Sequence, residues 1–415
     1  CVKAADFDGD GYIDLFVGGR VAPGWYPQPE SGYLLRNESK NGKVLFKDVT
    51  AQTAAGLQSI GLVTDALWSD ADNDGDVDLM VTGEWMGIHF FKNDKGLLNK
   101  VTAATDNEKG WWNSISAADI DNDGDMDYIA GNYGLNGFYK ANANEPVSAF
   151  FSDYDMNGRP DLLMSQYRAV KPHGNKIAYP ALFRDQVAEG LPAIKKHYSN
   201  YSSFSKAGTE EVLNKFQRDD ELKLSAINMQ SGWMENKGNF EFAFHPLPAA
   251  AQWSVVYGIA VNDFNGDGNI DLALNGNDYS IAPVQGRADA FYGLLLQGDG
   301  KGNFTGLNAL QSGLYIPGDG KALVQMQWGD DIALAASQNG GPLLFFKNNA
   351  NNRLVPVEAD ITAAIITYKD GKKRKEEFYY GSSFYSQSAR FIQISPAVKN
   401  VEFYIGKRML KKIDN

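Results

Sequence analysis

Short apolar runs recur along most of the chain, each bounded by aspartate, asparagine and glycine. Residues 66–68 and 79–81 flank one such polar segment, 115–118 and 128–130 a second, and 255–261 and 272–274 a third. Runs this short, and nearly continuous in apolar residues, predict strands buried on both faces. Residues 323–327 and 332–336 repeat the pattern around a turn shortened to Trp328, Gly329, Asp330 and Asp331. Further hairpins follow at 88–96, 232–240 and 294–304, marked by N-x-G or D-G turns. Two hairpins per repeat predict a four-stranded meander, the blade of a β-propeller. The expected fold is therefore all-β, a propeller of about six to seven four-stranded blades over residues 1–352. Six inner hairpins are visible, five of them with long acidic turns. A helical insert is expected at about 168–225, with helices over 181–189 and 209–216 and a short one from Pro192 to His197. Residues 353–415 read as four more strands, at 361–368, 374–380, 390–394 and 401–405. Two arrangements fit them, an appended β module or a closing blade.

The acidic turns share the pattern D-x-[DN]-x-[DN]-G-x-x-D. The first uses Asp6, Asp8, Asp10, Tyr12 and Asp14; the second Asp70, Asp72, Asp74, Asp76 and Asp78; the third Asp119, Asp121, Asp123, Asp125 and Asp127. The fourth uses Asp153, Asp155, Asn157, Arg159 and Asp161, and the fifth Asp263, Asn265, Asp267, Asn269 and Asp271. Side chains at positions 1, 3, 5 and 9 and the main-chain carbonyl at 7 converge as the chain curls, and glycine at position 6 permits the sharp turn. Oxygen-only donors select a hard cation, and their number favours Ca²⁺, at about five sites. An EF-hand is excluded, because position 12 is Val17, Val81, Ala130, Met164 or Leu274 rather than glutamate. His89, His173, His197 and His245 all lie outside the loops, so zinc is not suggested. The fourth loop is the weakest, since Arg159 brings a positive charge close by. The shortened turn at 328–331 is expected to have lost its metal.

The formal net charge is −12, which argues against nucleic-acid binding. Eighteen carboxylates stand at the side-chain ligand positions 1, 3, 5 and 9 of the five loops, so much of the acidity is local. The single cysteine, Cys1, permits no intrachain disulfide, which leaves metal as a candidate staple. No apolar run is long enough to span a membrane as a helix. The chain begins almost inside a metal loop, so it is expected to be part of a longer exported protein.

The loops with their strands resemble the FG-GAP or VCBS repeat, the unit of integrin-α-like β-propellers, over roughly residues 1–350. That resemblance implies a structural calcium loop between the first two strands of a blade, and nothing catalytic. Residues 381–390, preceded by 367–372, look like the ASPIC/UnbV module, whose usual G-S-G-Y-x-S-Q start is partly kept. The combination looks like the C-terminal portion of large VCBS-repeat proteins of Bacteroidetes-type cell surfaces. It implies an extracellular or outer-membrane location and a protein or glycan partner, outer-membrane transporter components of an uptake system among them.

Six to eight positions beyond the last aspartate of the loops stand Arg20, Glu84, Trp85, Tyr133, Tyr167, Asn277 and Tyr279. In a propeller these would ring the axis on the face away from the metals, joined by Trp111, Trp112 and Trp253. Aromatic and planar polar groups converging there suit a sugar or a peptide loop; the competing reading is packing between blades. No catalytic motif is present, and a carboxylate committed to calcium is a poor general base. The expectation is a non-catalytic binding or scaffold protein; the alternative is a lyase-type polysaccharide enzyme.

Overall fold

A computed structural model describes residues 1–415 except 170, 172, 173, 217, 349–351 and 383. His173, and Ser383 of the 381–390 stretch, therefore lie outside the described residues. Strands take 43% of the chain and helices 10%, so the all-β expectation holds.

The first sheet is an antiparallel meander of Val2–Ala5, Asp14–Val17, Tyr33–Asn37 and Phe46–Asp48. The second runs Leu62–Ser69, Asp78–Met86, His89–Asp94 and Leu97–Val101, and the fourth Val256–Asn262, Asp271–Gly276, Leu294–Gly298 and Phe304–Leu307. The fifth has three strands, Gly320–Trp328, Asp331–Gln338 and Leu344–Lys347. The first strands of consecutive sheets are neighbours, from Val2–Ala5 through Leu62–Ser69, Ser114–Ala118 and Val256–Asn262 to Gly320–Trp328.

Each sheet packs a face on the next. Phe16 and Leu34 of the first sheet share a core with Leu79 and Phe91 of the second. Met80 and Phe90 of the second share another with Ile115 and Tyr128 of the third. Ile129 and Trp233 pack with Ile259 and Leu272, and Ala260 and Ala273 with Leu323 and Leu334. Successive residues such as Phe90 and Phe91 thus point into different cores, which is why the strands read as continuous apolar runs rather than alternating ones.

The third sheet corrects the simple repeat. Its strands are Ser114–Ala118, Asp127–Gly131, Gly232–Asn236 and Phe242–Pro246, so residues 132–231 are inserted between its second and third strands. The fourth acidic loop lies inside this insertion, not in a sheet of the series. Its hairpin, Val147–Ser152 and Asp161–Ala169, is flanked by Lys176–Pro180 on one side and Leu222–Ala226 on the other. The last strand returns beside the first, with Val147 opposite Ala226. Helices Arg184–Gly190, Ile194–His197, Tyr201–Phe204 and Thr209–Leu213 fill the connection, with Val187, Ile194, Phe204 and Val212 buried with Phe150 and Leu163. The unexpected helix Tyr201–Phe204 is capped by Asn200, whose side chain accepts from the Ser203 amide.

The C-terminal sheet is ordered Lys373–Glu377, Ala363–Tyr368, Val398–Ile405 and Arg408–Asp414. The expected strand at 390–394 exists as Phe391–Ile394 but pairs with Arg353–Pro356 in a separate two-stranded sheet. Its place is taken by Arg408–Asp414, a mostly exposed strand with no apolar run to announce it. Between these elements the 380–390 segment touches both ends of the series. The Ala4 amide donates to Tyr380 O at 3.1 Å, and the Ala389 amide to Gln325 O at 2.8 Å.

Candidate metal centres

In all five loops the ninth residue, Asp14, Asp78, Asp127, Asp161 or Asp271, opens the second strand of its hairpin. Its Oδ2 accepts the main-chain amide of position 2, from Phe7, Ala71, Ile120, Tyr154 or Phe264, at 3.0–3.3 Å. In the first, second, third and fifth loops its Oδ1 accepts an amide from the third strand or its end, at Asn37, Asn93, Asn236 or Gly298. This aspartate therefore locks the loop to the sheet. The fifth position accepts the amide of the seventh throughout, as Asp10 does from Tyr12 at 2.8 Å and Asn157 from Arg159 at 2.8 Å.

Glycine at position 6 has a left-handed backbone in every loop, from φ 83° at Gly158 to 97° at Gly124. Position 4 does too, at Gly9, Asn73, Asn122, Met156 and Gly266. The sequence reading did not single out that position. Its Gly and Asn residues carry the signal, and Met156 is the exception.

Carboxylate oxygens converge in four loops. Asp6, Asp8 and Asp10; Asp70, Asp72 and Asp78; Asp119, Asp121 and Asp123; and Asp153, Asp155 and Asp161 each bring ligand atoms within 4.8 Å of one another. The same four loops retain buried carboxylate oxygens with no hydrogen-bond donor: Asp8 Oδ1, Asp70 Oδ1, Asp119 and Asp125 Oδ1, and Asp155 Oδ1. Buried acceptors normally have partners, so these atoms fit a metal ion as the missing one. Tyr12 and Arg159 are exposed and can contribute only their main-chain carbonyls.

Without a cation the clustering is costly. Burial, helped by neighbouring aspartates, pushes Asp14 up to about 6, Asp78 to about 8, Asp127 to about 8, Asp161 to about 6 and Asp271 to about 7. A divalent ion reverses that electrostatic balance and favours the ionised ligands. One protein cation already sits in the second loop: Lys92 Nζ pairs with Asp72 Oδ2 and, at 3.0 Å, with Asp74 Oδ2. The C-terminal sheet touches the second and third loops. The Lys375 amide donates to Asp119 Oδ2 at 2.8 Å, and its ammonium reaches Asn73 Oδ1 at 2.7 Å and Glu377 at 2.9 Å.

The proposed ligand-face residues divide. Arg20 pairs with Glu84, Tyr26 Oη donates to Glu84 Oε2 at 2.9 Å, and Trp85 Nε1 donates to Tyr26 Oη at 2.8 Å. Trp85 is 4% exposed and Tyr133 9%, and both rings pack against Trp111 at about 5 Å between centroids. Trp112 is fully buried. Asn277 is also buried, its amide donating to Phe291 O and Gly318 O. These side chains pack between sheets and present no open surface. Tyr167 is half-buried opposite Ala178 in the inserted sheet. Tyr279 is half-exposed, with the Arg287 guanidinium 4.9 Å above its ring, and Trp253 is exposed. In the 381–390 stretch, the Phe384 ring lies tilted 4.8 Å from Tyr257 and 4.5 Å from Tyr385.

Comparison with known proteins agrees with the loop reading. The FG-GAP-like repeat family matches residues 6–81 and 70–130. No curated protein matches the chain. Among solved structures, the V. cholerae biofilm matrix protein Bap1 aligns over 99% of this chain and 65% of its own, at 11% identity and a TM-score of 0.24. The chain thus spans less than two thirds of that protein, and a likeness at that score carries no argument. What the comparisons establish is that this chain carries FG-GAP-like repeats.

Proposed function

We propose that the chain is a non-catalytic, calcium-stapled binding or scaffold protein of the cell exterior. The observation that carries it is the set of four loops whose converging carboxylates keep buried oxygens without donors. Convergent oxygen donors at five positions of a flexible loop suit Ca²⁺, and millimolar calcium outside cells keeps such sites filled. In this reading the five meander sheets and the pair Arg353–Pro356 with Phe391–Ile394 are successive blades of a six- to seven-bladed propeller, with residues 353–415 as an ASPIC/UnbV-like closing element. The contacts of the 380–390 segment with the first and fifth sheets support this. The partner is a glycan or a protein of an outer-membrane uptake system, met on the face that carries Arg20, Glu84 and Tyr279. The buried members of that set, Trp85, Tyr133 and Asn277, act as its scaffold.

The reading is tested by melting the protein with and without calcium, then screening glycan panels with product analysis. A calcium-independent melting temperature would sink the staple. Released oligosaccharide would replace binding by lyase-type catalysis.

A further inference from the structure

The fifth loop differs from the other four in how its acidic oxygens are satisfied. All six carboxylate oxygens of its aspartates already accept hydrogen bonds. Asp263 receives the Gly266 and Gly268 amides at 2.7 and 2.8 Å. Asp267 receives the Asn269 amide at 2.8 Å and Asn265 Nδ2 at 3.0 Å. Asp271 receives the Gly298 and Phe264 amides at 2.9 and 3.0 Å. Among the described residues this loop leaves no buried carboxylate oxygen without a donor. Position 3 is Asn265, a neutral side chain with one oxygen: its Nδ2 donates to Asp267 Oδ2 at 3.0 Å and its Oδ1 already accepts the Asp267 amide at 2.9 Å.

The loop is also covered. Position-6 glycines in the first, third and fourth loops, Gly11, Gly124 and Gly158, have open space where a side chain would project, while Gly75 of the second loop meets the flexible Lys407 side chain at 2.8 Å. At Gly268 the same space is closed by the Tyr368 ring, 3.0 Å away. Tyr368 belongs to the C-terminal sheet, and so do the cations beside it. Lys372 Nζ donates to Gly268 O at 2.9 Å and to Asn269 Oδ1, and Arg374 Nη1 donates to Gly268 O at 3.2 Å. Arg374 is 2% exposed and lies under the Tyr368 ring. A guanidinium is rarely this buried unless a fixed set of acceptors and negative charge compensates it.

We propose that four loops take a metal ion and that the fifth is closed by Lys372 and Arg374 of the C-terminal sheet instead. The two side chains bring their positive charge to a loop of three carboxylates, and their hydrogen bonds hold the loop's backbone from outside. The C-terminal sheet also meets the second and third loops through Lys375, but its hold on the fifth loop needs no metal, so it stays docked when calcium is withdrawn. The inference rests on reading the other loops as calcium sites, and the following measurement separates the two.

Calcium bound per chain is counted by mass spectrometry of the protein after equilibrium dialysis. The expected count is four, falling to three in Asp155→Asn and unchanged in Asp267→Asn. A count of five, a count below four, or a loss of one ion in Asp267→Asn overturns the proposal. A count of zero overturns the calcium reading itself. Hydrogen exchange supplies a second arm: Lys372→Met with Arg374→Met should unprotect residues 263–271 even in excess calcium. Unchanged protection of that loop overturns the assignment of the two cations. Where the double variant fails to fold, the ion count of the native chain and of Asp267→Asn decides alone.

Discussion

The Asn93 side-chain amide donates to the main-chain carbonyl of Phe7 at 2.7 Å, across 86 residues of sequence. Asn93 sits on the third strand of the second sheet, and Phe7 is position 2 of the first acidic loop. The relationship recurs: Asn236 reaches Ala71 O at 2.9 Å and Asn348 reaches Phe264 O at 3.0 Å. The second, third and fifth sheets thus each clasp the acidic loop of the sheet before them in space. The same asparagines fix their own loops, since Asn93 and Asn236 also donate to Val77 O and Met126 O.

Asn93→Ala should therefore do more than lose one contact. It leaves the buried Phe7 carbonyl and the half-buried Val77 carbonyl without this donor, at a cost of about 1–3 kcal/mol. Denaturant titration should show that loss, and calcium titration a weaker first or second site. A variant as stable as the parent would show that the clasp is incidental.

Metal-free protein should lose stability as pH rises. The ninth-position carboxyls have folded values of about 6 to 8, above the ordinary aspartate value of 3.8. The folded chain holds these protons where the unfolded chain has released them, so stability falls between about pH 4 and 8. Calcium needs the ionised forms, so the gap between loaded and metal-free melting temperatures should widen with pH. Melting curves in chelated buffer at pH 5 and 8 check this; a metal-free melting temperature that rises with pH contradicts it.

Lys92 competes with metal in the second loop. Its ammonium is partly exposed and can swing away, so the penalty is small, about 0.5–1 kcal/mol. Lys92→Gln should tighten that one site roughly two- to fivefold and leave the others alone. Calorimetric titration resolves the difference, and an unchanged or weakened site would remove Lys92 from the account.

Trp85→Ala and Tyr279→Ala should part company. Trp85 is buried against Trp111 and bonded to Tyr26, and its truncation should cost about 3–5 kcal/mol of stability. Tyr279→Ala should leave the melting temperature nearly unchanged and reduce partner or glycan retention. Equal loss of stability in both variants would make the whole face a packing feature.

Strand positions and acidic loops were legible because both are local. A ligand set spans nine residues, so D-x-D-x-D-G-x-x-D displays it whole. Strands wedged between two sheets advertise themselves as unbroken apolar runs such as 79–81 and 128–130. The fate of the fourth loop was not legible. Its pattern matches the others, but the partner of Asp127–Gly131 lies beyond the insertion at Gly232–Asn236. Nothing within one hairpin says which later strand will pair with it.

The sequence by itself determined the all-β class, the five acidic loops and the oxygen chemistry that suits a hard cation, because each is written within a few consecutive residues. Only the tertiary structure decided which loop the C-terminal cations close, because Lys372 and Arg374 reach the Gly268 carbonyl through a fold of more than a hundred residues. It also decided that Trp85 and Tyr133 are scaffold while Tyr279 reaches solvent. Spacing from a loop places a residue at a strand end. Whether its side chain is covered depends on the neighbouring sheets that pack over it.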